Sequence, residues 1–195
     1  MPEYATMESI EKKLYNLSKE VKNYHFLQNN SLPIKYNNKN YLFIGTTLWT
    51  YLKPDIAPLI ENEMNDYNHI YIKNKNNNKI ENITSGHINN LHKNNCKYLK
   101  SILTKLSNNK NNFTTIILTH HKPIIDPPIN DYIDYAYQVD LTPILYKTNI
   151  INYFIYGHTH KHDNRRLKNG TILLSNPKGY PFEKTLFKPN WILDI

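Results

Sequence analysis

Apolar residues along this chain recur in two stripes at helical spacing and in several short unbroken runs. Met7, Ile10, Leu14, Leu17 and Val21 predict an amphipathic helix over Met7 to Val21, with Thr6 as its N-cap and Glu8 and Glu11 in the dipole-favoured first turn. A longer stripe, Ile88, Leu91, Cys96, Leu99, Ile102, Leu103 and Leu106, predicts a second helix from about Thr84 to Leu106 with Lys93, Lys97, Lys100 and Lys105 facing outward. Leu32-Pro33-Ile34 and the run Tyr41 to Gly45 read as a β-hairpin around the polar turn 37–40. Phe113 to Leu118, Ile150 to Tyr156 and Gly170 to Ser175 have the length and β-branched, aromatic content of strands, and Trp191 to Leu193 suggests a terminal one.

The remaining segments are less regular. Pro54 and Pro58 exclude a long element there, Ile60 to Ile72 is ambiguous, and Lys73 to Lys79 reads as a mobile Asn-Lys loop. Ile124 to Asp140, rich in Pro, Asp and Tyr, reads as a loop beside an active site, and Leu141 to Lys147 as a short helix. Strands alternating with helices, plus an early hairpin, predict an α/β fold on a mixed sheet, in one domain over residues 1–195 without internal repeats.

Composition narrows the function classes. With 195 residues, 39% hydrophobic content and 16 Tyr, the chain can bury a core. Its mean hydropathy of -0.65 comes largely from Asn and Lys in loops. A net charge of +8 would permit binding to nucleic acid, but the Lys are scattered without a basic block, which argues against a dedicated nucleic-acid site. Cys96 is the one cysteine, so internal disulfides and Cys-based metal sites are excluded. No leader-like segment and no bilayer-length apolar run is present, so the expectation is a soluble, cytoplasmic protein with no membrane partner.

The candidate chemistry lies in histidines at strand ends. Tyr156-Gly157-His158-Thr159-His160 follows one apolar run, and Thr119-His120-His121-Lys122-Pro123 follows another. Gly157 is expected to make the sharp turn that aims both imidazoles at one point. If the two strands are parallel, both motifs lie at one sheet edge, where open α/β sheets place ligands. Neutral imidazole is a good ligand for Zn, Mn or Fe, so His158, His160 and His120 are candidate metal ligands, and His121 either a ligand or a residue supporting one. His162 reads as a surface residue, and His25, His69, His87 and His92 as structural or solvated.

Leu118 to Pro123 followed by Tyr156 to His160 resembles the C-terminal half of the calcineurin-like metallophosphoesterases. Phe43-Ile44-Gly45-Thr46-Thr47-Leu48-Trp49, Asp66-Tyr67 and Ser175-Asn176-Pro177-Lys178-Gly179-Tyr180-Pro181 look like linking segments of a bacterial-type branch. The resemblance implies a sandwich of two mixed sheets flanked by helices, and metal-dependent hydrolysis of phosphate esters at a two-metal site. On it, His120 and His158 would bind one metal and His160 the other, with His121, Gly157, Asn176 and Tyr180 supporting the ligands or facing the substrate.

The family's Asp-x-His, Gly-Asp-x-x-Asp and Gly-Asn-His motifs do not occur here. Glu3-Tyr4, ahead of Thr6 to Ile10, looks like the stretch just past the third of them, so N-terminal strands of the family fold are expected to be missing and an unpaired edge exposed. Three imidazoles bring no negative charge, so at most one divalent ion is expected, with impaired or absent hydrolysis. Two other readings stand beside this one: a non-catalytic metal- or partner-binding remnant, and one half of a split phosphatase completed by a complementing N-terminal polypeptide.

Overall fold

A computed structural model describes residues 5–74, 76–108 and 112–195. Glu3, Tyr4 and Lys75, which fall within segments interpreted from the sequence, lie outside the described residues. The described residues gather into two compact units, one drawn from Met1–Phe26 and Leu52–Asn90, the other from Leu27–Tyr51 and Leu91–Ile195.

The first unit begins with helix α1 (Met7–Glu20), where the Thr6 hydroxyl accepts the Ser9 N–H at 3.3 Å, as its N-cap pattern predicts. None of the α1 residues is buried, and Ile10, Leu17 and Val21 of its apolar stripe are exposed. The ambiguous segment resolves into two short helices, α2 (Ala57–Glu63) and α3 (Asn65–His69), with Pro58 in the first turn of α2, where its missing N–H costs nothing. Strands β3 (Tyr71–Lys73) and β4 (Ile80–Asn82) pair antiparallel, so the Asn-Lys stretch is the connection of a small hairpin.

The second unit is built on a six-stranded sheet in the order β1-β2-β5-β6-β8-β7. Strands β1 (Asn30–Tyr36) and β2 (Lys39–Thr46) form the expected hairpin, turned by Asn37 and Asn38 alone, both at positive φ. That pairing of two left-handed residues matches the right-handed twist of the strands, and Asn tolerates the region better than most side chains. Helix α4 (Ser85–Asn108) precedes β5 (Phe113–Thr119), α5 (Thr142–Leu145) precedes β6 (Tyr153–Ile155), and β7 (Asp163–Arg166) returns antiparallel beside β8 (Ile172–Ser175). Strands β2, β5, β6 and β8 are mutually parallel.

The fold is therefore α/β with a mixed six-stranded sheet and a separate two-stranded one. Its core gathers Leu42 and Ile44 from β2, Ile117 from β5, Phe154 from β6 and Leu173 from β8 against Leu99 and Leu103 of α4. The Lys93, Lys97, Lys100 and Lys105 side chains lie away from that core, as the helical period requires.

One expectation is corrected. Residues 191–193 pair with no strand among the described residues, and with Ile192 and Leu193 exposed the run gains no burial that would hold it in a sheet; β7, a strand the polar sequence Asp163-Asn164-Arg165-Arg166 did not suggest, lies beside β8. Strands β1 and β7 form the sheet edges, each paired on one side only among the described residues. Strand β1 carries Pro33, which has no N–H to offer, and β7 carries Asp163, Arg165 and Arg166, whose charges disfavour further pairing.

Gly45 sits where the segment entering β1 crosses β2. A Cβ there would collide with the Leu27 side chain and lie 2.7 Å from its carbonyl oxygen. Gly45→Ala should therefore destabilise the protein by about 1–3 kcal/mol through overpacking. An unchanged urea-unfolding midpoint would show that Leu27 is free to move away.

Candidate histidine site at the sheet edge

The parallel register brings the candidate residues together. Ile116 to Leu118 pair with Tyr153 to Ile155, and these with Ile172 to Leu174. Thr46 pairs with Thr119 on the other side. Continuing each ladder past the strand ends puts Thr47, His120, Gly157 and Asn176 in one row across four strands. Hydrogen bonds extend the ladders into that row. The Thr47 carbonyl accepts the His120 N–H at 3.1 Å and the His121 N–H at 3.2 Å, and the His120 carbonyl accepts the Gly157 N–H at 3.0 Å.

Three imidazoles converge just beyond the row. The ring centroids of His120 and His121 each lie 4.5 Å from that of His158, and 5.1 Å from one another. His120 is exposed and His121 is 1% exposed. The Nδ1 of His121 is 3.3 Å from the Thr47 carbonyl, so it donates there and the lone pair falls on Nε2. Tyr137 meets the His158 ring edge-on at 4.8 Å.

The turn carrying His158 and His160 differs from the expectation. Gly157 is not in the left-handed region, and a Cβ on it would make ordinary contacts at 3.7 and 3.8 Å with His120. Instead His158 and His160 take positive φ, 63° and 50°. Such backbone costs energy for side chains other than Gly and clusters at functional sites. His158 Nε2, Thr159 Oγ1, His162 Nδ1 and Ser175 Oγ are buried without a hydrogen-bond partner, a concentration of unpaired polar atoms at this edge.

His160 is drawn aside by a carboxylate that sequence reasoning missed. Its Nδ1 lies 2.8 Å from Glu183 Oε2, and Tyr180 packs edge-on against its ring at 5.2 Å. Glu183 also accepts the Tyr180 N–H at 2.7 Å. Nothing in the spacing of residues 160 and 183 signals this pair; it arises from the path of the chain after β8. Asn176 is engaged within the same segment, its side-chain amide exchanging two hydrogen bonds of 2.9 and 3.0 Å with the Lys188 backbone. The His162 ring lies tilted by 51° against Trp191, with centroids 5.0 Å apart.

Further side chains hold the site in place. Asn95, fully buried in the apolar stripe of α4, accepts the Trp49 N–H at 3.0 Å, while His92 binds the Trp49 carbonyl at 2.7 Å. Trp49 in turn packs on His121 at 5.2 Å. On the other side, Tyr156 donates to Asp163 at 2.6 Å, Arg165 bridges Asp163 and Asp126, and Lys122 reaches Asp126 at 2.7 Å. Burial pulls the Asp126 carboxyl upward, but its bonds to Lys122 and Arg165 outweigh this and hold it below the usual carboxylate range.

Among the described residues, no group of three or more His, Cys, Asp or Glu side chains is disposed to hold a metal ion. The imidazoles are suited in kind to one, since burial, and then the neighbouring His120 and His160, push His158 down to about 3. Burial, and then His158 and His120, likewise hold His121 well below its usual value against the opposing bond to Thr47. Both rings are therefore neutral near pH 7 with lone pairs to offer. The arrangement supplies donors at one edge but not a closed set of three.

No family model matches the chain. Over 203 residues it is 32% identical to the Uncharacterized protein L509 of Acanthamoeba polyphaga mimivirus, a match spanning 98% of this chain and 68% of the mimivirus protein. The chain belongs to the family of that mimivirus protein. Since the relative is itself uncharacterized, membership in this family brings no activity with it. No helix among the described residues is long and apolar enough to cross a membrane.

The depressed value of His158 has a consequence for stability. The unfolded chain binds a proton on this residue below about pH 6.5, whereas the folded protein resists until about 3. Stability is thus unaffected above that range and falls as pH drops from about 6.5 toward 3. His158→Asn, which keeps a side chain tolerant of positive φ, should flatten the fall in urea midpoint between pH 7 and pH 4.5. An equal fall in both proteins would assign the acid sensitivity to other groups.

Proposed function

We propose that this edge is the histidine half of a metal-dependent phosphoesterase site of the calcineurin-like type, with the mixed sheet as its scaffold. The observation carrying this reading is the convergence of His120, His121 and His158 beyond one register row of a parallel sheet, with His158 at positive φ and its Nε2 buried and unpaired. The described residues offer that atom no hydrogen-bond partner.

His120, His158 and His160 would hold a single divalent ion, Mn, Fe or Zn, which would supply positive charge to polarise a phosphate ester. The remaining parts have supporting tasks. The carboxylate of Glu183 on His160 Nδ1 and the Thr47 carbonyl on His121 Nδ1 are the partners that fix a ring's tautomer and leave its other nitrogen as the donor. Tyr156, Asp163, Arg165, Asp126 and Lys122 tie the loop after β5 to β7, which keeps His120 and His158 in register.

A second reading is favoured by the lack of a closed three-ligand group among the described residues. In it the chain binds metal or a partner without hydrolysing anything, or acts once a complementing polypeptide brings carboxylates to the edge. Phosphate esters are the substrate of the first reading; membranes and extended nucleic acid belong to neither.

Addition of Mn to the purified chain should raise its thermal midpoint, and His158→Ala should abolish the rise. Turnover of an aryl phosphate by the chain alone should be at background. Strong Mn-dependent turnover would displace the half-site reading in favour of a complete enzyme. Absence of any Mn-induced shift would remove the metal from both readings.

A further inference from the structure

The histidine row lies past the carboxyl ends of the parallel strands; the amino-terminal ends of β6 and β8 hold a cavity of their own, with a volume of about 280 Å³. Its walls come from the stretch entering β6, the last residue of β7 and the turn between β7 and β8. Asn169 braces that turn. Its Nδ2 donates to the Leu145 and Thr148 carbonyls at 2.7 and 3.0 Å, and its Oδ1 accepts the Thr171 N–H at 3.3 Å.

The groups presented to the cavity are hydrogen-bond donors. Arg166, opposite Ile172 in the ladder, donates from Nη1 to the Gly170 carbonyl at 3.0 Å, which fixes the guanidinium at the wall. Among the described residues it forms no ion pair, so its charge and remaining N–H groups are uncommitted. Asn152 accepts the Thr115 N–H on Oδ1 at 2.8 Å. That bond sets the orientation of its amide and leaves the Nδ2 hydrogens without a partner among the described residues. Asn149 adds an exposed second amide, and no Asp or Glu lines the cavity. Ile151, 1% exposed, and Ile172 supply an apolar surface beneath these donors.

We infer that this cavity binds a small organic carboxylate, its carboxylate group on Arg166 and Asn152 and its hydrocarbon body on Ile151 and Ile172. A guanidinium is a planar fork that matches a carboxylate with two parallel hydrogen bonds, and an oriented amide beside it adds a third. The apolar surface favours an organic acid over an inorganic anion, because only the former has carbon to bury there. The volume falls at the small end of the roughly 300–1,000 Å³ typical of ligand pockets, which suits a short-chain acid. The site is independent of the phosphoesterase reading. Asn152 and Gly157 stand at opposite ends of β6, roughly 16 Å apart along an extended chain.

The test is an NMR titration of the full ¹⁵N-labelled chain without added metal, following the Arg166 Nε–H and Asn152 side-chain amide signals. Acetate, 3-methylbutanoate, benzoate, 3-methylbutanamide and inorganic phosphate are added in turn to wild type, Arg166→Gln and Asn149→Asp. At least one of the two larger acids should shift both signals and bind roughly tenfold more tightly than acetate or the amide; each substitution should weaken it by a similar factor. Both residues are exposed, and Asn149→Asp keeps the side-chain shape while adding a repelling charge, so it tests the site even if Arg166→Gln disturbs the edge strand. Equal binding of the acid and its amide, or indifference to both substitutions, would overturn the assignment. Phosphate matching the best acid, with the same dependence on Arg166, would replace the organic carboxylate by an inorganic oxyanion. If none of the five shifts either signal, the cavity is not an anion site, and the phosphoesterase reading stands or falls on its own test.

Discussion

Everything at the candidate site depends on the parallel pairing of β5 between β2 and β6. Parallel strands end at the same edge, so the residues following each strand are delivered side by side, and the register decides which ones meet. Here the ladder makes neighbours of Thr47, His120, Gly157 and Asn176, residues scattered over most of the sequence. A slip of one residue in β6 would turn Phe154 away from the core and move His158 from beside His121. Burial of Phe154, Ile117 and Leu173 therefore specifies the site as firmly as any polar contact does.

Around this ladder the structure concentrates cost. Leu48, His158 and His160 at positive φ, unpaired buried polar atoms and two rings held neutral lie close to the one sheet edge. The supports come from outside the strands: Asn95 and His92 grip Trp49 behind His121, and the Tyr156–Asp163–Arg165–Asp126–Lys122 chain braces the opposite side. Both are polar networks whose members look ordinary in isolation. Asn95 interrupts an apolar stripe, and its full burial is explained by the Trp49 and Asn29 bonds it makes.

The proposed phosphoesterase reading draws its support from this convergence and from motif resemblance, and the chemistry it still lacks is negative charge at the metal. Glu183 answers part of that need, bringing a carboxylate against His160, though as the partner of a ring nitrogen. The same residue accepts the Tyr180 N–H, so one carboxylate ties the segment after β8 to the histidine edge.

Much of the fold was legible in the sequence because its signals are local. The α1 cap at Thr6, the period of α4 with its outward Lys, the hairpin and the apolar runs of β5, β6 and β8 each arise from a few neighbouring residues. The clustering of His120, His121 and His158 was legible too, since apolar runs ending in histidines imply a shared edge once the strands are parallel. Strand β7 was not, because a polar edge strand has no hydrophobic signature, and neither was the irregular end at Trp191, whose apolar run is left largely exposed. The backbone strain moved from Gly157 to His158 and His160, and His160 turned to Glu183, because these depend on where the chain returns after β8. Sequence thus determined which elements form and which chemistry reaches the edge; the tertiary structure decided which side chains face each other there, since that is set by register and by contacts far apart along the chain.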